Sequence, residues 1–271
     1  MKYQKIGNDI ILYQKDFNLD ETLDCGQAFR WKKIESDYDC TYKGFFLNEN
    51  LTISQDNDRF IFHDTSEQDF LNKWVEYFDL NTDYSELKKI FSQDETLKKA
   101  CEFAGGIRLL KQDFWECLIS FIISQNNNIP RIKIIIERLC NHYGHFPTAD
   151  ELSGETVESL EYLKSGFRAK YIVDAVNKVA SGEVNPEEIR KMSIDEARQK
   201  LISIKGVGAK VSECVLLFGM YRTEAFPIDV WIKRVLERYY PDGLPEYIKD
   251  YAGIAQQYLF HYIRNTEKQG S

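Results

Sequence analysis

The 271-residue sequence predicts an α+β protein in which an N-terminal antiparallel β-sheet domain is followed by an all-helical bundle. Residues 1 to 64 alternate short apolar or aromatic runs with polar residues, and Asp, Asn and Gly separate the runs. This texture is typical of antiparallel strands. From about Ser66 onward the apolar residues recur at helical spacing. We therefore predict a β-rich domain with short helices over residues 1–100 and a helical domain over residues 101–271.

Individual elements follow from local patterns. The predicted strands are the runs DIILYQ, QAFRWKKI, CTYKGFF, LTISQ and RFIFHD. Three segments have the spacing of a helix-opening capping box: Asp113–Glu116, Thr148–Glu151 and Ser193–Glu196. The last of these is expected to open a helix that runs to about Ile204. The run Asn126–Asn128 is expected to end one helix and cap the next, whose first turn contains Pro130.

The charge is unevenly distributed along the chain. The sequence has 35 Lys and Arg against 43 Asp and Glu, a formal net charge of −8. An acidic protein is a poor candidate for binding DNA, because cations must replace the counterions on phosphates. However, residues 1–100 carry −7 of this charge, and the segment Lys200–Arg238 has seven basic against four acidic residues. The overall acidity therefore does not exclude a local basic surface.

The cysteines and the apolar stretches exclude other classes of protein. The six Cys are far apart without any CxxC, and only Cys140 has histidines nearby. We therefore expect reduced thiols and no zinc or iron–sulfur site. The longest apolar stretch, around Leu118–Ile123, is too short to span a bilayer, and the N-terminus lacks a targeting pattern. We expect a cytoplasmic protein without membrane contact.

The segment Leu201–Tyr240 contains the most informative motif. Gly206, Val207 and Gly208 form a tight turn between two predicted helices, giving a helix–hairpin–helix over about residues 194–220. Two glycines let backbone N–H groups approach a ligand closely, and such donors suit phosphate binding that ignores base sequence. The alternative is a glycine cap that joins two helices of the core.

Two side chains near this turn could carry chemistry. Lys210 lies in the first turn of the second helix, where the dipole disfavours a cation. This location, with partial burial, would favour a neutral amine able to attack carbon; the alternative is a solvated surface lysine. Asp229 opens the helix after Pro227, so it is a candidate N-cap. Its carboxylate could also stabilise a developing sugar cation or move protons.

These residues resemble those of a known family. The pattern LxxIKGVGxKVxxC…PIDVW resembles the helix–hairpin–helix DNA glycosylases and, within them, the 8-oxoguanine DNA glycosylase/lyase family. Four further segments match the family in order: Cys25–Trp31, Gly106–Ile132, Ser165–Tyr171 and Tyr251–Phe260. The resemblance thus covers nearly the whole chain, and the family's fold, a small antiparallel sheet domain joined to a helical bundle, agrees with the fold class predicted above.

The resemblance implies a lysine nucleophile. In the family the lysine at the position of Lys210 attacks C1′ of the damaged nucleotide, expels the base and leaves a Schiff base on the sugar. The aspartate that matches Asp229 supports charge development and proton movement at the sugar. The Schiff base can then eliminate the 3′ phosphate, which cleaves the strand. No catalytic metal or organic cofactor is implied.

The resemblance also implies residues that open the duplex. The target base must leave the stack before it can react. Asn126 and Arg131 match positions that fill and read the space opposite the lesion, while Phe167 and Arg168 match a wedge aromatic and a second arginine on the orphaned cytosine. Taken alone, Asn126 would be a helix cap, the two arginines a solvated face and Phe167 a core aromatic.

Four residues match the family's lesion pocket. Gly26 corresponds to a glycine whose carbonyl accepts the extra N7–H of 8-oxoguanine. Gln256 and Phe260 match residues that pair with and stack on the base, and Cys214, otherwise a small core residue, matches one packing the opposite ring face. The sequence departs from the family at Trp231, where animal relatives have a phosphate-contacting histidine that the indole N–H could replace.

Together these features predict a bifunctional base-excision-repair glycosylase. It would flip out and excise 8-oxoguanine opposite cytosine in double-stranded DNA and cleave abasic sites by β-elimination. Two alternatives remain: a non-catalytic helix–hairpin–helix DNA-binding module, or a related glycosylase for an alkylated base or oxidised pyrimidine. We expect a monomer in the bacterial cytoplasm, associated with the nucleoid.

Overall fold

The structure, a computed structural model, describes residues 1–268. A six-stranded antiparallel sheet occupies the N-terminal region, with the strand order β1-β2-β6-β5-β4-β3. The strands are β1 (Lys2–Ile6), β2 (Asp9–Tyr13), β3 (Lys32–Ile34), β4 (Cys40–Phe46), β5 (Glu49–Asp56) and β6 (Arg59–His63). This confirms the predicted fold class. The sequence patterns missed β1, and the predicted strand QAFRWKKI is extended only at its end, in β3.

Helices follow the sheet as predicted, apart from one short helix between β2 and β3. The α-helices are α1 (Leu19–Leu23), α2 (Glu67–Asp69), α3 (Val75–Tyr77), α4 (Tyr84–Phe91), α5 (Glu95–Phe103), α6 (Phe114–Ser124), α7 (Ile129–Tyr143), α8 (Ala169–Ala180), α9 (Pro186–Ile189), α10 (Ile194–Ile202), α11 (Ala209–Cys214), α12 (Val230–Tyr239) and α13 (Ala252–Lys268). Short 3₁₀ turns cover Ser159–Leu163, Gly166–Arg168 and Glu246–Tyr251, and π-helical turns cover Phe70–Trp74 and Val215–Gly219.

The chain divides into two compact units. Residues 1–111 form the first unit together with the chain from Ile228 onward, and Gln112–Pro227 form the second. This division differs from the predicted one, which placed the C-terminal helix with the other helices. The physical reason is that α13 packs in the first unit, where Tyr258 is fully buried, donates to the Ile107 carbonyl over 3.0 Å and contacts the ring of Phe91.

In the first unit an aromatic core lies under the sheet. Apolar side chains that alternate along β2, β5 and β6 point into it, and they meet Phe70, Trp74 and Phe78 from the helical segment that follows β6. Trp31 is fully buried and its indole N–H donates to the Tyr77 hydroxyl over 2.7 Å. This core fixes the chain just after α1, where Gly26 lies.

The second unit is built around α6. Eight of the eleven residues of α6 are buried, so this helix is apolar on nearly all sides and forms the centre of the unit. The Phe121 ring stacks on the Phe218 ring with 5.3 Å between centroids, which joins α6 to the segment after α11. No helix in the described part of the chain has the length and apolar character needed to cross a membrane.

The predicted helix starts have mixed outcomes. Ser193 and Glu196 form a reciprocal capping box at α10, which ends at Ile202. Asn128 caps α7, as predicted for the asparagine run. The bonds of a capping box also form between Thr148 and Glu151, but they close only a turn. The predicted helix is absent there because Ser153-Gly154 interrupts it after one turn.

Candidate functional site

The glycine hairpin of the second unit joins α10 to α11. Gly206 has a φ of +80°, and a Cβ at this position would lie 2.4 Å from the ring of Tyr171 on α8. The N–H of the buried Val207 donates to the Ile204 carbonyl over 3.0 Å. Glycine is therefore required at Gly206 both by the backbone conformation and by the close approach of α8.

Two further bonds from α8 support the hairpin. The carboxylate of Asp174 accepts a bond from the Lys205 N–H over 2.7 Å, and the Lys178 ammonium donates to the Ser203 carbonyl over 2.7 Å. These bonds satisfy backbone groups where α10 ends. The hairpin is thus held rigidly by its own unit.

The other face of the hairpin is open. Gly208 has an extended backbone that any residue can adopt, and a Cβ there would meet no atom within 4 Å. Lys210 lies in the first turn of α11, as predicted, but its side chain is exposed, so the predicted partial burial is wrong. Within residues 1–268 no hydrogen bond or ion pair holds its ammonium. Cys214, one turn further, is buried, and α11 then widens into the π-helical turn.

A buried carboxylate that the sequence patterns did not identify lies on α11. Glu213 accepts hydrogen bonds from the Arg198 guanidinium on α10 and, over 2.7 Å, from the N–H of Phe226. The hydrogen bond to Glu213 raises the pKa of Arg198. Glu213 thus ties both helices of the motif to the segment that leads towards Asp229.

Two predicted DNA-binding residues lie near the junction of α6 and α7: Asn126 in the connecting turn and Arg131 in the first turn of α7. Asn126 is exposed with a left-handed φ of +47°. The cap of α7 is Asn128, whose side chain accepts from the Arg131 N–H over 3.0 Å, so Asn126 is not a cap. Arg131 is also exposed, and its guanidinium has no hydrogen bond or ion pair in the described part of the chain.

Phe167 and Arg168 differ from the expectations for isolated residues. The Phe167 ring is 46% exposed and is not part of the core. It lies 5.8 Å from the ring of Tyr171, which also contacts the hairpin, and the Arg168 guanidinium stacks 4.4 Å from its centroid. Phe167 is therefore an exposed aromatic side chain that is supported by contacts with Tyr171 and Arg168.

Arg168 is only 3% exposed, so it is not on a solvated face. Its guanidinium donates to the carbonyls of Gln125, Asn126 and Ser165. Burial, with the nearby charge of Arg131, lowers the pKa of Arg168. In this conformation Arg168 holds the Asn126 turn in place rather than presenting its donors to a ligand.

In the first unit Gly26 lies in a firmly anchored loop. Gly26 has a φ of +92° and its neighbours Cys25 and Gln27 are each 1% exposed. The Gln27 amide donates to the carbonyls of Thr22 and Arg108 and accepts from the Leu110 N–H, with distances of 2.8–2.9 Å. These bonds fix the peptide on one side of Gly26.

Gln256 and Phe260 lie one turn apart on α13, which confirms their predicted spacing. Gln256 is buried and its Oε1 accepts a 2.6 Å bond from the Gln257 amide. Phe260 is partly exposed, with the Arg264 guanidinium 5.7 Å from its centroid. Sequence reasoning missed Gln257, because its partner Cys25 comes from a distant part of the chain.

Asp229 is the N-cap of α12. Its Oδ1 accepts from the N–H groups of Trp231 and Ile232 over 3.0 and 2.9 Å. Because both bonds use one oxygen, the cap leaves Oδ2 for another partner. The Trp231 ring is partly exposed and lies 4.8 Å from the Arg234 guanidinium. Among residues 1–268, no group of three or more His, Cys, Asp or Glu is placed to hold a metal ion.

Comparison with known proteins identifies the family. A sequence model of the 8-oxoguanine DNA glycosylase N-terminal domain matches residues 9–118, and one of the HhH-GPD superfamily of base excision DNA repair proteins matches residues 119–249. The N-glycosylase/DNA lyase of Saccharomyces cerevisiae is 32% identical over 269 residues, covering 85% of this chain and 70% of the relative. The chain belongs to the 8-oxoguanine DNA glycosylase/lyase family.

Solved structures of 8-oxoguanine glycosylase/lyases have the same fold. The Clostridium acetobutylicum enzyme, in complex with double-stranded DNA containing cytosine opposite 8-oxoguanine, has a TM-score of 0.90 at 36% identity and covers 98% of this chain and 99% of its own. MBOgg1, in complex with a low-affinity DNA ligand, has a TM-score of 0.91 at 42% identity, covering 98% and 100%.

The structure brings the predicted residues of this glycosylase/lyase family member together in two sets. The second unit holds the hairpin, Lys210 and Cys214, and also the exposed group of Asn126, Arg131 and Phe167 with Arg168 beneath it. The first unit holds the lesion-pocket candidates Gly26, Gln256 and Phe260, and also Asp229 and Trp231.

Proposed function

We propose that this chain excises 8-oxoguanine from double-stranded DNA and cleaves the strand at the resulting abasic site. Its family membership supports this activity, and Lys210 is the observation that carries it. The Lys210 amine is exposed, lies two residues after an open glycine, and has no hydrogen bond or ion pair in the described residues. Attack on a sugar explains why a lysine stands there.

The chemistry uses the Lys210 amine as the nucleophile. The unprotonated Nζ attacks C1′, the bond from C1′ to the damaged base breaks, and the amine becomes a Schiff base on the opened sugar. Loss of a C2′ proton then expels the 3′ phosphate by β-elimination. Hydrolysis of the remaining Schiff base regenerates Lys210.

Asp229 supports the same reaction. Its Oδ1 stays engaged with the N-terminus of α12, which holds the carboxylate in one orientation. Its Oδ2 can then stabilise the positive charge that develops on the sugar as the base leaves. The capping role and the chemical role are therefore compatible in one side chain.

The lesion is read by residues that match the family pocket. The Gly26 carbonyl accepts the N7–H that distinguishes 8-oxoguanine from guanine. Gln256 pairs with the polar edge of the base and Phe260 contacts one face of its ring; the family resemblance implies that Cys214 contacts the other. The residues on both sides of Gly26 are buried and held in place, so its carbonyl has a fixed position. A fixed acceptor suits discrimination by a single hydrogen bond.

DNA is bound by the hairpin and opened by the exposed group. The N–H groups around Gly206, Val207 and Gly208 contact phosphate, with the Trp231 indole N–H as a further donor. Phe167 wedges into the stack, and Asn126 and Arg131 occupy the space opposite the lesion. Arg168 reaches the orphaned cytosine only if it gives up its carbonyl partners, so we assign base reading first to Arg131.

The proposed partner is double-stranded DNA containing 8-oxoguanine opposite cytosine. The similar Clostridium acetobutylicum enzyme forms its complex with DNA that contains this pair of bases, which supports the choice of partner. We further propose that the chain acts as a monomer, in the cytoplasm and associated with the nucleoid.

Borohydride trapping tests the proposal. Enzyme and 8-oxoguanine·cytosine duplex should give a covalent adduct when borohydride reduces the Schiff base. Lys210→Gln should give none, whereas Lys205→Gln, which removes an exposed lysine of the same hairpin, should trap like wild type. An adduct with Lys210→Gln would refute the nucleophile. Binding without any wild-type adduct would instead support a non-catalytic module, and excision of a different base from a lesion panel would identify another glycosylase.

A further inference from the structure

Three buried side chains of the first unit form a chain of hydrogen bonds. Cys25 Sγ lies 3.7 Å from Gln257 Oε1, and Gln257 Nε2 donates to Gln256 Oε1 over 2.6 Å. Cys25 is 1% exposed, and both glutamines are 4% exposed. The chain links the loop after α1 with α13.

The bond between the two glutamines is unusual for a helix. Adjacent residues on an α-helix point in different directions, so their side chains do not normally meet. Here the Gln257 amide lies between Cys25 and Gln256, and both of its ends are occupied. The contact with Cys25, from a distant segment, holds Gln257 in the position that reaches Gln256.

The Cys25 thiol determines which groups donate and which accept in this series of hydrogen bonds. Burial raises the pKa of Cys25 to about 11, so at neutral pH the sulfur carries its proton, which it shares between Gln257 Oε1 and the Thr22 carbonyl 3.3 Å away. With its oxygen towards the thiol, Gln257 must direct its NH₂ towards Gln256. A reversed Gln257 amide would place two carbonyl oxygens against each other.

The consequence is a single orientation for the Gln256 amide. Its oxygen faces Gln257, so its NH₂ group points to the other side. In the proposed function Gln256 and the Gly26 carbonyl read the same base. Cys25 immediately precedes Gly26, so the hydrogen bonds from Cys25 through Gln257 to Gln256 also connect these two base-reading groups.

We propose that Gln257, held by Cys25, is a positioning residue that sets the amide orientation of Gln256 and thereby the selectivity for 8-oxoguanine. This inference rests on the proposed function, because it assumes that Gln256 reads the excised base. It assigns to Gln257 no contact with the base or the sugar.

The test compares two reactions of the same protein preparation: single-turnover release of 8-oxoguanine and cleavage of a preformed abasic site. Their ratio reports base recognition and cancels differences in folded fraction. Gln257→Met, which keeps the length but removes both hydrogen bonds, should lower this ratio roughly tenfold. Cys25→Ser keeps a donor, so its ratio should stay within about threefold of the wild-type ratio. Cys25→Ala has no donor, so its ratio should be lower than that of Cys25→Ser.

The matched control is Gln55→Met. Gln55 is a buried glutamine of the same unit that accepts from the Leu19 N–H over 2.8 Å and donates to the Asn57 carbonyl over 2.9 Å. Its loss should destabilise the fold without changing the ratio. If Gln257→Met is recovered unfolded, Gln257→Leu takes its place, since it also removes both hydrogen bonds.

A double-mutant cycle separates positioning from general structural damage. If Gln257 acts through Gln256, the double variant Gln256→Met/Gln257→Met should have the ratio of Gln256→Met alone. Multiplicative effects, or a wild-type ratio in Gln257→Met, would overturn the inference and leave the proposed function intact. A wild-type protein that cleaves abasic sites but releases no 8-oxoguanine would overturn both.

Discussion

At the scale of single residues, Lys210 and Arg131 both place a positive charge near a helix N-terminus, where it does not stabilise the fold. Each is an exposed cation in the first turn of a helix, and neither has an acidic partner in the described residues. A cation there opposes the helix dipole at a cost of about 0.3–1 kcal/mol. DNA phosphates would remove this cost, which is consistent with the proposed function of both residues.

The two glycines of the hairpin should respond differently to the same substitution. Gly206→Ala forces alanine into a left-handed conformation against Tyr171, so we expect the free energy of unfolding to fall by roughly 2–3 kcal/mol. Gly208→Ala meets no neighbour and should change stability by less than about 0.5 kcal/mol. Because its methyl group projects from the open face, it should weaken binding of duplex DNA about tenfold.

Urea unfolding and fluorescence anisotropy with an undamaged duplex distinguish these effects. Each glycine variant serves as the control for the other. Unchanged DNA affinity in Gly208→Ala would show that the open face of the hairpin is not a DNA-binding surface.

At the scale of elements, α10 and α11 are held by a buried carboxylate rather than by apolar packing alone. Arg198 on α10 has two acidic partners: Asp195, 84% exposed, and Glu213, whose side chain is 10% exposed. The two partners of Arg198 therefore allow a solvated carboxylate to be compared with a buried one. A buried partner whose loss leaves donors unsatisfied matters far more than a solvated one.

We accordingly expect Glu213→Ala to lower the free energy of unfolding by about 3 kcal/mol, because the Phe226 N–H loses its acceptor and the Arg198 guanidinium loses its buried one. Asp195→Ala, which removes the exposed partner of the same arginine, should cost less than about 1 kcal/mol. Urea denaturation followed by circular dichroism measures both. Equal losses in the two variants would mean that Glu213 does not tie the motif together.

Local chemistry made most elements predictable, and long-range packing explains the rest. The capping box at Ser193, the glycine hairpin and the Asp229 cap depend on residues within a few positions of each other, so the sequence patterns located them. The placement of α13 depends on Tyr258 meeting Ile107 and Phe91, and the burial of Arg168 depends on carbonyls some forty residues away. No sequence pattern identifies Gln257, because its role becomes visible only through its contact with the distant Cys25.

At the scale of the whole molecule, an acidic protein must bind a polyanion through a small surface. The excess of three positive charges over Lys200–Arg238 is all that this segment offers to phosphates, and backbone N–H groups supply the other contacts. Each neutralised phosphate contributes about −0.9 to the slope of log Kobs against log salt. We therefore expect a shallow slope of about −3 for an undamaged duplex.

Titrations between low and physiological salt test this expectation, with anisotropy as the measurement. Lys210→Gln should make the slope shallower by about 0.9, because one cation leaves the interface. Lys99→Gln is the control: this lysine on α5 is paired with Glu95 over 2.8 Å, so its removal should leave the slope unchanged. A slope of about −8 would mean that a much larger cationic surface takes part. Equal changes in the two variants would show that the overall charge, rather than the hairpin, determines DNA binding.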